Sequence, residues 1–425
     1  MKSAEQSSDW PCPFEAEIPA YLQDELSAGE RLAYEAHAAT CTSCADNIIK
    51  YRQLVRLLRE PLTEEPVRDL APDILARIQP VNRDRSFFLQ PAFLRVAAVF
   101  VCIVVAGTLV RVLRPQPLSQ ASHDPRIDAA LHWLHSTQQP EGCWDAARWG
   151  AQKNYAPGIT GLAILAFLKH DAGALNGPHA EAIRRGLDYL VRQQNAEGRI
   201  GILCSGTPYN EGMGTLALLE ACTRQKNAQW EQTAERGLKY IRNAQLASGG
   251  WGYPRTPGDS GNTSVTVWQL QALFKAEAMG RSDVRATVAK GMAWLDKVVD
   301  PDGTVGYSRP RDFPNGHETL TAAGALCFLT DKGRSGYSSR LVQTMQALRD
   351  AARQTADVDY YRLYFMTQAL MSADHSDEEL VTKLRETVLA CQAQTGADAG
   401  SFEAMDRWSK AGGRVYATAM AVLAL

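Results

Sequence analysis

The chain has 425 residues, with 45 Lys and Arg against 47 Asp and Glu, giving a formal net charge of −2. That length exceeds one ordinary hydrophobic core, and the balanced charge offers no basic excess for direct nucleic-acid binding. Its nine cysteines are odd in number and scattered, which argues against a disulfide framework, and the polar N-terminus MKSAEQSSDW lacks the apolar stretch of a cleavable signal peptide.

The first expected element is a small helical domain over residues 1–60. Ser27-Ala-Gly-Glu30 is a capping box that starts a helix. His37 and Cys41 follow four residues apart, so both project from one face of it. Cys44 comes just past a short turn, and Thr42 or Ser43 caps the next helix, whose apolar stripe includes Ile48, Leu54, Val55 and Leu58. One imidazole and two thiolates in this spacing supply three corners of a tetrahedron, as zinc requires. Cys12 is the expected fourth ligand, with Glu15 and Glu17 as alternatives. Zinc would also explain how so small a domain folds, because metal affinity becomes folding energy. The competing readings of the cluster are a redox pair or incidental buried thiols.

These residues also carry a resemblance. Cys12-Pro-Phe-Glu, Ile18-Pro-Ala-Tyr-Leu-Gln-Asp-Glu-Leu26, Ala28-Gly-Glu-Arg31 and His37-x-x-x-Cys41-x-x-Cys44 resemble the zinc-binding anti-sigma factor domain, over about residues 10–60. The resemblance implies a cytoplasmic helical domain that clamps a sigma factor of the extracytoplasmic-function type. It also implies a further clamping helix. Asp69-Leu-Ala-Pro-Asp-Ile-Leu-Ala-Arg77 is the candidate within a helix-and-linker segment at 61–91, although Pro72 interrupts it. Redox-responsive members of that family make a thiol switch of Cys12, Cys41 and Cys44 an alternative.

Residues 96–110, VAAVFVCIVVAGTLV, carry no charge. Alone they are shorter than the roughly 20 residues a bilayer needs, but Arg95 and Arg111 flank them with stems that snorkel, and 92–114 makes an adequate span. The competing reading is a buried core helix. Arg77, Arg83, Arg85 and Arg95 precede the run, and Arg111, Arg114 and Arg126 follow it. Charge therefore leans only slightly toward a cytoplasmic N-terminus. The thiolates lean the same way, toward a reducing compartment. A linker at 115–125 then leads to a periplasmic or extracellular region.

From residue 126 to 425 the sequence repeats with a period of roughly 50 residues. One helix ends in an aromatic-apolar signature: Leu131-His-Trp-Leu134, Leu187-Asp-Tyr-Leu190, Leu238-Lys-Tyr-Ile241, Met292-Ala-Trp-Leu295. A Gly-rich turn follows, led by Gln138, Gln193, Gln245, Asp300 and Gln394, and reaching Trp144, Gly198, Trp251, Gly303 and Phe402. A second helix, apolar nearly all round, comes next, at 159–168, 212–221, 264–276, 320–329, 361–371 and 415–425. Helices of that kind are buried on several sides, whereas the first helices are amphipathic. Six such pairs predict an all-α fold, either a closed α/α toroid or an open solenoid, with the toroid favoured by the polar N-termini of the second helices.

The turn resembles the Q-x-x-x-G-x-W motif of the prenyltransferase and squalene cyclase repeat superfamily. That resemblance implies a toroid over 126–425 in which Gln bonds helix ends and Trp packs over the turn. The catalytic signatures of the superfamily are absent. In place of D-x-D-D-T-A stands Gly258-Asp-Ser-Gly-Asn-Thr263, and neither a prenyltransferase zinc triad nor a G-C-G-E-Q thioester motif is found.

The N-terminal ends of the second helices ring one mouth of such a toroid. These ends offer Tyr155, Asn210, Tyr360 and Trp408, and the candidate cavity residues there are Tyr209, Glu211, Asp259, Asn262, His317, Glu318, Asp359, Arg362, Asp406 and Arg414. Their competing reading is helix capping, the usual role of Asp and Asn before a helix. The leading functional expectation is a single-pass membrane signalling protein. Its cytoplasmic zinc domain would bind a sigma-like regulator, and its toroid would sense a ligand or partner. The alternatives are a membrane-tethered enzyme processing terpenoids or glycans, and a protein-binding scaffold.

Overall fold

The computed structural model describes residues 35–41 and, from 124 to 425, all but 150, 172, 255–257, 332–337 and 374–376. The chain divides into two compact units, 1–108 and 109–425.

In the first unit, residues 35–38 are helical, and the Cys41 amide donates to the His37 carbonyl at 2.9 Å. Cys12, Cys44, the helix expected at 69–77 and the span expected at 92–114 lie outside the described residues. No helix among the described residues is long and apolar enough to cross a membrane.

In the second unit the described residues form twelve α-helices and no strand beyond isolated bridges. The outer helices are α1 (Pro125–Thr137), α3 (Ala180–Gln193), α5 (Ala228–Asn243), α7 (Arg285–Lys297), α9 (Ser338–Gln354) and α11 (Glu378–Leu389). Each is followed by an inner helix: α2 (Ala156–His170), α4 (Thr207–Arg224), α6 (Thr263–Ala278), α8 (Glu318–Thr330), α10 (Tyr360–Ser372) and α12 (Ser409–Ala424). Each inner helix packs on the next, and α12 packs back on α2, so the ring closes. The open solenoid is thereby set aside. Sequence decides which helix goes inside. Twelve of the fifteen residues of α2 are buried, against six of the fourteen of the amphipathic α3.

Small residues let the inner helices approach. A Cβ on Gly161 of α2 would lie 2.8 Å from the Met213 carbonyl of α4, and one on Gly212 of α4 would lie 2.9 Å from Trp268 of α6. The apolar runs expected at 159–168, 212–221 and 415–425 prove to be only parts of inner helices, which begin earlier, at Ala156, Thr207 and Ser409. The first turns added to α4 and α12 hold polar or aromatic residues such as Tyr209, Asn210, Glu211, Lys410 and Arg414, which hydropathy alone does not assign to a buried helix.

The repeated turn has one mechanism. Gln138 Nε2 donates to the Gly142 carbonyl of its own turn at 2.8 Å and to the Ala182 carbonyl of the next outer helix at 2.7 Å. Gln245 does the same to Gly249 and Thr287. In two turns the acting glutamine differs from the one expected: Gln194, not Gln193, and Gln392, not Gln394. Gln194 stands four residues before its turn glycine, as Gln138 and Gln245 do, whereas the last turn is longer. In the fourth turn Val299 stands at the glutamine position, four residues before Gly303, and the next residue, Asp300, accepts from the Arg311 amide at 2.7 Å.

The turn glycine is required twice over. Gly142 has φ 92°, and a Cβ there would lie 2.3 Å from the Arg185 carbonyl. Across four of the five glycine turns, a buried side chain follows the glycine and its amide donates to an inner-helix threonine: Trp144 to Thr160, Trp251 to Thr266, Val305 to Thr321 and Phe402 to Thr418. Only the connection between α9 and α10 lacks the glycine turn among the described residues. There Asp359 caps α10 directly.

The turn bonds therefore tie each pair to the next. Gln138→Leu removes two hydrogen bonds and leaves two carbonyls short of a donor. It is expected to destabilise the toroid by about 1–3 kcal/mol. Urea unfolding followed by circular dichroism measures this, and an unshifted midpoint would contradict it.

Candidate functional site

The N-terminal ends of the inner helices enclose a cavity of about 140 Å³. Its wall is mainly aromatic: Tyr155, Tyr209, Tyr253, Tyr361, Trp408 and Tyr416. Tyr209 and Tyr361 come from the first turns of α4 and α10. Tyr416 enters because α12 kinks at Gly413, whose φ is 69°. Tyr253 and Trp408 come from the loops ahead of α6 and α12. The Tyr209 and Tyr253 hydroxyls bond each other at 3.0 Å, and Tyr361 accepts from Trp268 Nε1 at 2.8 Å. Burial pushes the Tyr209, Tyr361 and Tyr416 phenols well above the usual tyrosine range, so they remain neutral hydroxyls. Such a cavity suits a small apolar ligand with a hydrogen-bonding group, or a ligand that uses the aromatic faces.

Tyr155 and Trp408 were expected at this mouth, and of the ten candidate cavity residues Tyr209 lines the cavity. The other nine are placed elsewhere. Asp259 accepts from the Tyr253 and Gly261 amides and lines a separate pocket of about 400 Å³. Asn262 caps α6 through the Val265 amide at 2.9 Å. Asp359 caps α10 through the Arg362 amide and also accepts from Trp408 Nε1 at 3.2 Å. Asp406 accepts from the Ser409 and Tyr360 amides, joining the starts of α12 and α10. His317, Glu318 and Arg362 line a polar cleft of about 410 Å³, where Arg362 pairs with Asp357 at 2.7 Å. Arg414 binds Ser401 Oγ at 3.0 Å and pairs with Asp398 at 3.6 Å.

Glu211 is buried in the ring wall. Its Oε1 accepts from the Ile200 amide, filling the role that threonine plays in the other turns, and its Oε2 has no partner. Burial raises this carboxyl well above the usual range. Burial likewise raises Asp359, and neighbouring Asp406 adds to the effect. Glu211, Asp259, Asp359 and Asp406 are thus occupied with backbone amides, and no carboxylate lines the tyrosine cavity.

Sequence reasoning placed Tyr155, Tyr209 and Trp408 at this mouth and missed the other three aromatics of the wall. Tyr253, Tyr361 and Tyr416 lie far apart in the chain, and only closure of the ring brings them together. The available signal was an aromatic in the first turn of an inner helix, as at Tyr209 and Tyr361.

The zinc cluster is partly described. The helical turn from His37 to Cys41, closed by its 2.9 Å backbone bond, sets the two residues one turn apart. Cys41 is half-buried. The donor set fits zinc chemistry. Among the described residues no group of three or more His, Cys, Asp or Glu is arranged to hold a metal. Two of the four expected ligands lie outside those residues.

A family model described as "Putative zinc-finger" matches residues 13–45, which include His37, Cys41 and Cys44 but not Cys12. No curated protein matches the chain. Among solved structures, the alpha-1,6-mannanase of Salegentibacter sp. HEL1_6 is similar at 11% identity, over 70% of this chain and 99% of that one, with a TM-score of 0.53. An alpha-amylase from Clostridium perfringens is similar at 12% identity, over 72% and 98%, with a TM-score of 0.52. A type II terpene cyclase from Scytonema is 14% identical over 72% and 98%, with a TM-score of 0.49. The first two establish a shared α/α toroid fold and nothing about activity.

Proposed function

We propose that this chain is a single-pass membrane signalling protein. Residues 1–60 form a cytoplasmic zinc domain that binds a sigma-like regulator, residues 92–114 span the membrane, and the toroid lies on the far side as the sensing domain. The observation that carries this reading is the zinc-finger match at residues 13–45, standing ahead of the uncharged run at 96–110 and a closed toroid. Cys12, His37, Cys41 and Cys44 would hold the zinc. Bound there, the metal acts as a cross-link that supplies folding energy. The tyrosine cavity is the input site, because its groups stay neutral and no acid lines it, which suits binding better than proton transfer.

Signalling also needs an element with two states that both ends bias. A single span meets that need through a change of association or through cleavage. The enzyme alternative draws on the fold likeness to glycan- and terpenoid-processing proteins. In this chain Asp259, Asp359 and Asp406 are held by backbone amides, so no observation favours it over sensing.

Topology tests the proposal. Alkaline phosphatase fused after residue 125 is expected to be active, and fused after residue 60 to be inactive. Activity at both positions, or the reverse order, would overturn it.

A further inference from the structure

The inner ring has a second mouth, at the C-terminal ends of its helices. It opens into a cavity of about 570 Å³, a size typical of small-molecule sites. Trp268 lies between the two cavities. Its Nε1 donates to Tyr361 in the wall of the first, and its ring stacks on Tyr364 in the wall of the second at 5.8 Å.

The wall of the second cavity carries three basic side chains, Lys169, Arg224 and Lys275, against one carboxylate, Glu220. Lys275 and Glu220 pair at 2.8 Å. Arg224 ends α4, where a cation complements the helix dipole. Lys169 also lies in the last turn of its helix, α2, but unlike Lys275 it has no carboxylate partner among the described residues. Its amine reaches across to α12 and donates to the Leu423 carbonyl at 2.6 Å. An ammonium has three donors to place. Burial, with the Arg385 guanidinium nearby, pushes the amine down to about 7.

Beside this amine, which has one acceptor for three N–H groups, a second donor in the same wall has none. Gln271 Oε1 accepts from the Tyr364 hydroxyl at 3.2 Å, but its Nε2 is buried without a partner. Buried donors left unpaired are costly, so these two favour a ligand that brings acceptors. The rest of the wall is largely hydrocarbon, including Leu165, Leu216 and Phe274.

We propose that this cavity is a second ligand site that takes an amphiphilic monocarboxylate, with its head on Lys169 and Gln271 and a short hydrocarbon tail along Leu165, Leu216 and Phe274. The site does not depend on the tyrosine cavity binding anything. The charged and titratable groups around the amine are His170 on its own helix, Glu220 and Arg224 on α4, Lys275 on α6, Cys327 on α8, Tyr364 on α10 and Arg385 on α11. Burial and Lys169 hold His170 down at about 4, so it stays neutral through the range of interest. Cys327 is pushed up by burial and stays a thiol.

The carboxylate pairs with the protonated amine, so the complex has the higher amine pKa. Binding therefore takes up a proton above pH 7. Affinity falls as pH rises through that value, by up to about tenfold per pH unit.

Calorimetric titration of the full-length chain with sodium hexanoate, and with hexanol as the uncharged control, tests the site. Hexanoate is expected to bind saturably and to weaken between pH 7.5 and 9. Lys169→Met is expected to weaken it by about tenfold or more, and hexanol to bind no tighter to the wild type than to that variant. Lys169→Met also removes the bond to Leu423, so Gln271→Met is measured in parallel. It leaves that bond intact and is expected to weaken hexanoate by about threefold or more. If Lys169→Met does not fold, Gln271→Met and the pH series decide. No saturable binding, equal binding of hexanol, or affinity unchanged in the variants would overturn the proposal.

Discussion

Replacing Trp251 with alanine is expected to destabilise the toroid by about 3–5 kcal/mol, the usual cost of deleting a fully buried indole. Trp251 is 2% exposed. Its Nε1 donates to the Ile241 carbonyl at the end of α5, at 2.8 Å, and its amide donates to Thr266 of α6 at 3.0 Å. The ring lies so close to α7 that a Cβ on Gly291 would be 2.9 Å from it. One side chain thus joins two consecutive pairs and fixes the turn between them. Alanine would leave a cavity in a closed ring, where neighbouring pairs have little freedom to collapse into it. Trp408 is the comparison, because it is half-buried in the wall of the tyrosine cavity. Trp408→Ala is expected to cost less than Trp251→Ala. Equal costs in urea unfolding, or a Trp251→Ala cost below about 1 kcal/mol, would contradict the role of the turn tryptophan.

The second large effect belongs to the zinc domain. Cys41→Ser and His37→Ala are each expected to lower bound zinc from one per chain to well below half. Structural zinc supplies about 10–16 kcal/mol of apparent binding energy in zinc-finger peptides, so losing a ligand removes most of what folds a domain this small. The N-terminal unit should then become sensitive to limited proteolysis, while the unfolding transition of the toroid stays where it was. Inductively coupled plasma mass spectrometry reads the metal, and equal zinc in wild type and both variants would remove the site. Cys327→Ser is the control, because that thiol is buried in α8.

How much of this was readable depended on whether the signal was local. The inner helices announce themselves because an α-helix that is apolar on every side has nowhere to go but a core. The turn motif was readable in kind but not always in register. Gln193 and Gln194 are adjacent and alike, and the four-residue spacing to Gly198, shared with Gln138 and Gln245, selects the second. At the last turn, Gln394 shares the composition of Gln392, yet Gln392 alone bonds both Gly400 and Arg126. The mouth residues were ambiguous for a different reason. Asp and Asn before a helix satisfy amide groups whether or not they also meet a ligand, and Asn262, Asp359 and Asp406 satisfy amides. The cavity tyrosines follow no local period, because ring closure and the kink at Gly413 bring them together. Lys169 looked like any lysine in the last turn of a helix until its bond to Leu423 placed it against the other end of the repeat.

The central claim is that the zinc domain serves regulation. Its most direct test is the recovery of a sigma factor on the tagged full-length chain, quantified by mass spectrometry for wild type and Cys41→Ser side by side. A sigma factor of the extracytoplasmic-function type should be retained in near-stoichiometric amount by the wild type and lost from the variant. Recovery of no sigma factor by the zinc-loaded wild type, or equal recovery by both proteins, would contradict it.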